Sequence, residues 1–166
     1  MGYRNGTDLI LGIMDGQTFK PFGHSTGCKI SDSTETGERQ TKEAASGKFK
    51  EKYVKSLAES ITCEGFVFDG DDGDSKVSLP TLKRKWMNGQ TVKARYAYRN
   101  QESTAYFEGD FVITSLEQDG PAGDDEKYSL TLENSGAISE HVPNTGGGSG
   151  AGGGSGAGGD GDGEDD

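Results

Sequence analysis

The sequence predicts a mainly β fold, with six or seven strands around one short helix. Three observations carry that expectation. Tyr128, Leu130 and Leu132 alternate with Lys127, Ser129, Thr131 and Glu133, the two-residue period of a strand with one apolar and one wet face. Val92, Ala94, Tyr96 and Tyr98 alternate in the same way with Thr91, Lys93, Arg95 and Ala97. Helix signals are confined to one stretch, where Ser78 is an N-cap, Pro80 falls in the first turn and Asn88-Gly89 closes in a left-handed cap.

Taken in order, Leu9, Leu11 and Ile13 alternate with Ile10, Gly12 and Met14, and Asp15-Gly16 marks a tight turn before Gln17 to Phe22, which makes an opening hairpin. A third strand is expected from Ser25 to Ser33, with Cys28 and Ile30 on one face and Lys29 on the other. Ser31 to Lys50 then holds almost no aliphatic side chain, so it reads as a long polar loop that adds nothing to a core; a loop of this length is functional or disordered, and the functional reading is preferred. Regularity returns from Val54 to Phe68, where Leu57, Ile61 and Cys63 share a side and Gly65 is read as a bulge that turns Phe66 and Phe68 inward. The helix follows the acidic turn Asp69 to Asp74 and carries Leu79, Leu82, Trp86 and Met87 on one face. The closing hairpin spans Gly109 to Gly136: Phe111 and Ile113 oppose Asp110, Val112 and Thr114, and Gln118 to Glu126 supplies the turn.

Asn144 to Asp166 repeats GGGSGA in tandem and ends DGDGEDD, with no residue able to build a core. Residues 144–166 are therefore expected to be a disordered tail behind a domain of residues 1–143. Five of the 28 acidic residues lie in this tail, which leaves the body at −6 where the whole chain carries −11. That sign argues against a protein that grips nucleic acid through its phosphates, since gripping needs Lys and Arg to displace counterions; sliding past DNA remains open. No apolar run approaches the roughly 20 residues that span a bilayer, so no membrane partner is expected. Cys28 and Cys63 fall within strand-like runs and the opening MGYRNGTD is no apolar leader, which points to folding in the cytoplasm with reduced thiols.

Catalytic and metal-binding patterns fail on context. Gly23-His24-Ser25-Thr26-Gly27 matches G-x-S-x-G, but a nucleophile elbow needs a helix directly after the serine, and CKISDST reads as strand and then loop. Asp69 to Asp74 alternates carboxylates without the spacing of a calcium loop. Two cysteines without a further Cys or His cluster make a poor zinc site, and buried free thiols are the expectation. No enzyme and no cofactor is expected. Such a body works by assembling.

The order of features resembles the major tail tube proteins of long-tailed bacteriophages with non-contractile tails. The resemblance lies in GERQTKEAASGKFKEKYVKSLAESITCEGFV, Gly37 to Val67, a polar loop before a strand; in LPTLKRKWMNGQTVKARYAY, Leu79 to Tyr98, a helix, glycine and strand; and in FEGDFVITSLEQDGPAGDDEKYSLTLENSGAI, Phe107 to Ile138, a closing hairpin with its terminal SG turn. It implies a β-sandwich or partly closed barrel with one flanking helix. It also implies hexameric rings that stack into a virion tail tube, assembled in the bacterial cytoplasm, with DNA passing through without specific binding. The implied partners are further copies of the chain, an initiator or tip protein, a terminator and a tape measure. In that family the long loop reaches the next ring. Here the candidate is Ser31 to Lys55, with Glu35, Glu38, Arg39, Lys42, Glu43, Lys48, Phe49 and Tyr53 as contact residues. The glycine-rich acidic tail departs from the family.

Two other readings stand beside it. A tube protein of a contractile injection or secretion machine would look alike in sequence. A monomeric β-sandwich module binding glycan or peptide would use Tyr96, Tyr98, Tyr106 and Phe107 as a platform; alternation instead assigns Tyr96 and Tyr98 to the core, and keeps Tyr106 and Phe107 from sharing a face.

Overall fold

A computed structural model describes residues 2–40, 50–67 and 75–143. A 3₁₀ turn, Gly6–Asp8, is followed by β1 (Leu9–Asp15), β2 (Thr18–Pro21), β3 (Ser25–Arg39), β4 (Glu51–Phe66), α1 (Leu79–Met87), β5 (Val92–Tyr98), β6 (Tyr106–Asp119), β7 (Lys127–Asn134) and β8 (Ser139–His141). The strands form one antiparallel sheet in the order β2-β1-β5-β6-β7-β4-β3, with β8 on β6. β2 and β3 end the sheet without pairing to each other among the described residues, so the barrel stays open.

The sheet curls around its apolar face. Leu11 and Ile13 of β1, Ile61 and Cys63 of β4, Val92 and Ala94 of β5, Phe111 of β6 and Leu130 and Leu132 of β7 share one buried cluster. Side chains also meet across strands that are not neighbours. The Tyr96 hydroxyl on β5 donates to Glu59 Oε2 on β4 at 2.9 Å, spanning the width of β6 and β7. Tyr128 donates to the Gly23 carbonyl at 3.0 Å, tying β7 to the segment before β3. Helix α1 joins the cluster through Leu82, which is buried with Phe22 and Val77.

The closing hairpin matches its sequence pattern: β6 and β7 pair from Phe111↔Asn134 to Asp119↔Lys127, with a register shift between Ile113 and Ser115 that the pattern did not signal. Gly89 caps α1 at φ +60°, as Asn88-Gly89 predicted. Ser78 sits at the N-cap position, but its hydroxyl meets Thr81 Oγ1 at 3.0 Å instead of a backbone N–H. Trp86 and Met87 remain largely exposed.

Three expectations are corrected. The first concerns the polar stretch from Ser31, which is strand and not loop as far as Arg39; β4 supplies its backbone with ladder partners, and a ladder does not require apolar side chains. At Gly65 the chain does not switch faces: β4 runs in unbroken register past Gly65↔Tyr128 to Phe66↔Lys127, and Phe66 is exposed. Glycine is required there because a Cβ would lie 2.7 Å from the His24 carbonyl oxygen and 2.8 Å from the Tyr128 ring. The irregularity lies opposite, on β3 between Ser25 and Gly27. Lastly, Tyr98 at the end of β5 is half-buried under the Arg4 guanidinium and outside the core, whereas Tyr96 is half-buried and packs against the core cluster as its parity implied. The expectations for Phe68, Asp69 to Asp74 and residues 144–166 lie outside the described residues.

Candidate functional site

The outer part of the β3–β4 hairpin has a partner on one side only. β7 pairs with β4 from Ser60 to Phe66. Beyond that, Asp32 to Arg39 and Glu51 to Glu59 pair as strands only with each other among the described residues. At the usual rise this two-stranded ribbon extends roughly 25 Å past the third strand. Isolated ribbons of this kind are marginal in water without a surface to lie on.

Four of the predicted contact residues come together on it. Glu35 takes Lys55 at 3.4 Å and the Ser56 hydroxyl at 3.1 Å. Glu38 pairs with Lys50 at 3.0 Å, and Arg39 with Glu51 at 3.2 Å. The Arg39 guanidinium also lies 5.7 Å from the centre of the Tyr53 ring. All these charges are exposed, so each pair contributes about 0–1 kcal/mol and leaves the ribbon dependent on other contacts. Lys42, Glu43, Lys48 and Phe49 lie outside the described residues.

The apolar side of the ribbon was missed by charge-based reasoning. A register shift between Glu35 and Thr36 makes Lys55 an extra residue on β4, so Leu57 opposite Thr34 and Val54 opposite Thr36 fall on one face although they are three positions apart. They are 69% and 60% exposed, the largest aliphatic surfaces on the hairpin. Both line a cleft of about 800 Å³ between the ribbon root and the segment holding Ala137 and Ile138. The sequence signal was the pair V54-x-x-L57, whose spacing fits a strand only through a bulge.

Glu59 stands at the inner end of this cleft, 8% exposed. Its backbone N–H donates to Asn134 Oδ1 at 2.9 Å, and Asn134 Nδ2 donates to the Gly136 carbonyl at 2.8 Å. Tyr96 satisfies Oε2, whereas Oε1 has no hydrogen-bond partner. Burial raises the carboxyl pKa against the pull of the Tyr96 hydrogen bond, and the Asp32 carboxyl facing it raises it further.

The chemical alternatives find little support. Ser25 sits on β3 with no helix after it; its hydroxyl touches Cys28 Sγ at 3.3 Å and Cys63 Sγ at 3.2 Å, while His141 stacks on Tyr106 in β8. Among the described residues no group of three or more His, Cys, Asp or Glu is arranged to hold a metal ion, and no helix is long and apolar enough to cross a membrane. The aromatic platform is divided: Phe107 stacks on Tyr96 at 5.3 Å, whereas Tyr106 lies under the Arg95 guanidinium at 3.7 Å.

Residues 4–140 match the family model described as phage tail tube protein. No curated protein matches the sequence. Among solved structures, the tail of an empty gene transfer agent particle with C6 symmetry is 22% identical, with a TM-score of 0.65 over 82% of this chain and 98% of that one. The SPP1 tail tube is 18% identical, with a TM-score of 0.56 over 83% of this chain and 78% of that one. The 6-fold symmetrised baseplate of the anti-feeding prophage is 13% identical, with a TM-score of 0.54 over 86% and 98%. At these identities the similarity is one of fold.

Proposed function

Because this chain belongs to the phage tail tube protein family, a structural component of virion tails, we propose that it polymerises as stacked hexameric rings into a tube through which DNA passes at ejection. The β3–β4 ribbon is the contact between one ring and the next. The observation that carries this reading is a ribbon with no third strand among the described residues, whose Val54 and Leu57 are left in water beside a largely apolar cleft. A protein that stayed monomeric would gain nothing from that exposure, and covering it with a second copy removes it. The acidic body suits a passage that guides the duplex without holding it. A tip protein, a terminator and a tape measure are the remaining partners.

Negative-stain electron microscopy of the purified chain over a range of concentrations tests the proposal. Rings or tubes with a central hole and six-fold symmetry are expected. A chain that stays monomeric at every concentration and in the presence of preformed tube ends would overturn it. The fold similarity to the anti-feeding prophage baseplate favours a second reading, a tube inside a contractile machine. Co-purification with a sheath protein from the native source would select that one.

A further inference from the structure

Cys28 and Cys63 are direct partners across β3 and β4, with the two sulfurs 3.3 Å apart. Directly opposed residues of an antiparallel pair have Cα atoms about 4.5 or 5.5 Å apart, and both values lie within the range a disulfide accepts. The two chains therefore need not move for the bond to form; rotation about the side-chain torsions brings the sulfurs together. From this geometry we propose that Cys28 and Cys63 are a redox-active pair that closes into a cross-strand disulfide in the sheet behind the ribbon when the subunit meets a small-molecule disulfide.

The surroundings divide the two sulfurs into roles. Cys63 is fully buried and Cys28 only partly, so Cys28 is the thiol that a reagent can reach. The hydrogen bond from Cys63 lowers the Cys28 pKa to about 7, against the opposing effect of burial, and the Ser25 hydroxyl adds to the lowering. The Cys63 thiol is pushed up, chiefly by that same contact, and so keeps its proton while Cys28 reacts. Near neutral pH a thiolate with this pKa is abundant and remains a strong nucleophile.

The exchange takes two steps. The Cys28 thiolate attacks one sulfur of the small disulfide, breaks its S–S bond and releases one thiolate. Cys63 then gives up its proton, attacks Cys28 Sγ in the mixed disulfide and releases the second. The protein loses two protons and two electrons, and the reagent becomes two thiols. The bond ties together positions 35 apart in sequence. It therefore restricts the unfolded chain and pins β3 to β4 within the part of β4 that β7 supports, three rungs inward of Ser31↔Ser60, the last rung before the unsupported ribbon. Resting on the tail-tube reading, the pair would be reduced during assembly in the cytoplasm and close once the virion is outside the cell, locking β3 to β4 in the sheet that carries the ribbon after rings have stacked.

The test uses the full chain and one subunit at a time, so it gives the same answer whether or not tubes form. Incubation with oxidised glutathione at neutral pH should lower the intact mass by roughly 2 Da, leave no thiol that iodoacetamide can label in denaturant, and raise Tm by about 10 °C, reversibly with dithiothreitol. In Cys28→Ser the Tm rise should vanish while the fold is kept by circular dichroism. Two labelled thiols after oxidation, or a glutathione adduct that stays on Cys28 without resolving, would overturn the proposal.

Discussion

The hydroxyl end of the Tyr53 ring lies against Gly37 on the opposite strand, so close that a Cβ on Gly37 would stand 2.5 Å from the ring and 2.6 Å from the hydroxyl oxygen. This contact buries Gly37 in a ribbon whose other residues, apart from Glu59 at the inner end, face water. Replacing Gly37 with Val pushes the ring off at a local cost of about 1–3 kcal/mol. Backbone amides from Lys52 to Val54 should then exchange hydrogen at least about fivefold faster. The global Tm should hardly change, because the ribbon lies outside the buried cluster. Unchanged exchange in Gly37→Val would mean that the Tyr53 ring does not hold the ribbon together.

Val54 and Leu57 carry the assembly reading. Double replacement by Ser removes two side chains that are mostly exposed in the single subunit, so its stability should shift by no more than about 0.5 kcal/mol. If a second copy covers them, each is worth about 1.5–2 kcal/mol on burial, and the critical concentration for tube growth should rise more than about tenfold. Light scattering against protein concentration measures it. Unaltered growth would place the contact elsewhere on the subunit.

Glu59 should make stability pH-dependent in an unusual direction. Burial raises its folded pKa above the ordinary glutamate value of 4.5, so the folded state binds its proton more tightly than the unfolded chain does. The stability it contributes is fully present below pH 4.5 and is lost as pH rises through the folded value. Protonation also gives the unpartnered Oε1 a hydrogen with which to reach Asp32. Glu59→Gln keeps an acceptor for Tyr96 and removes the charge, so at pH 7 it should stabilise by on the order of 1 kcal/mol, with the advantage shrinking toward pH 4.5. Urea midpoints for both proteins across that interval decide it.

Phe111 is 0% exposed at the centre of the core, and Phe111→Ala should cost about 3–5 kcal/mol. The loss appears as a lower urea midpoint with the slope retained.

How legible each part was depended on where its determinants lie in the chain. The β6–β7 hairpin could be read because Tyr128, Leu130 and Leu132 carry a strict two-residue period and their partners on β6 lie just before them across a short turn. The Asn88-Gly89 cap could be read because a left-handed position is a local demand. The outer half of β3 could not. Thr34, Glu35, Thr36 and Glu38 have no face of their own, and what makes them strand is a partner beyond Arg39, from Glu51 onward. Parity placed Leu57 with Ile61 correctly, yet only Ile61 is buried, because parity fixes a face and says nothing of whether anything covers it. Glu59 went unnoticed among them because a carboxylate on an apolar stripe reveals its burial only when Tyr96 arrives from β5.

The extra residue at Lys55 also sets an angle. A bulge bends its strand and adds twist, so the rungs beyond it, Thr36 to Arg39, form a short lever whose direction is fixed at one hinge point. Over those rungs the lever is about 13 Å long, and a change of about 10° at its base moves the end by about 2 Å. Deleting Lys55 leaves every other rung paired as before but straightens the lever. In a stack built through this ribbon, that single deletion would be read out as spacing and rotation between successive layers, amplified along the whole length.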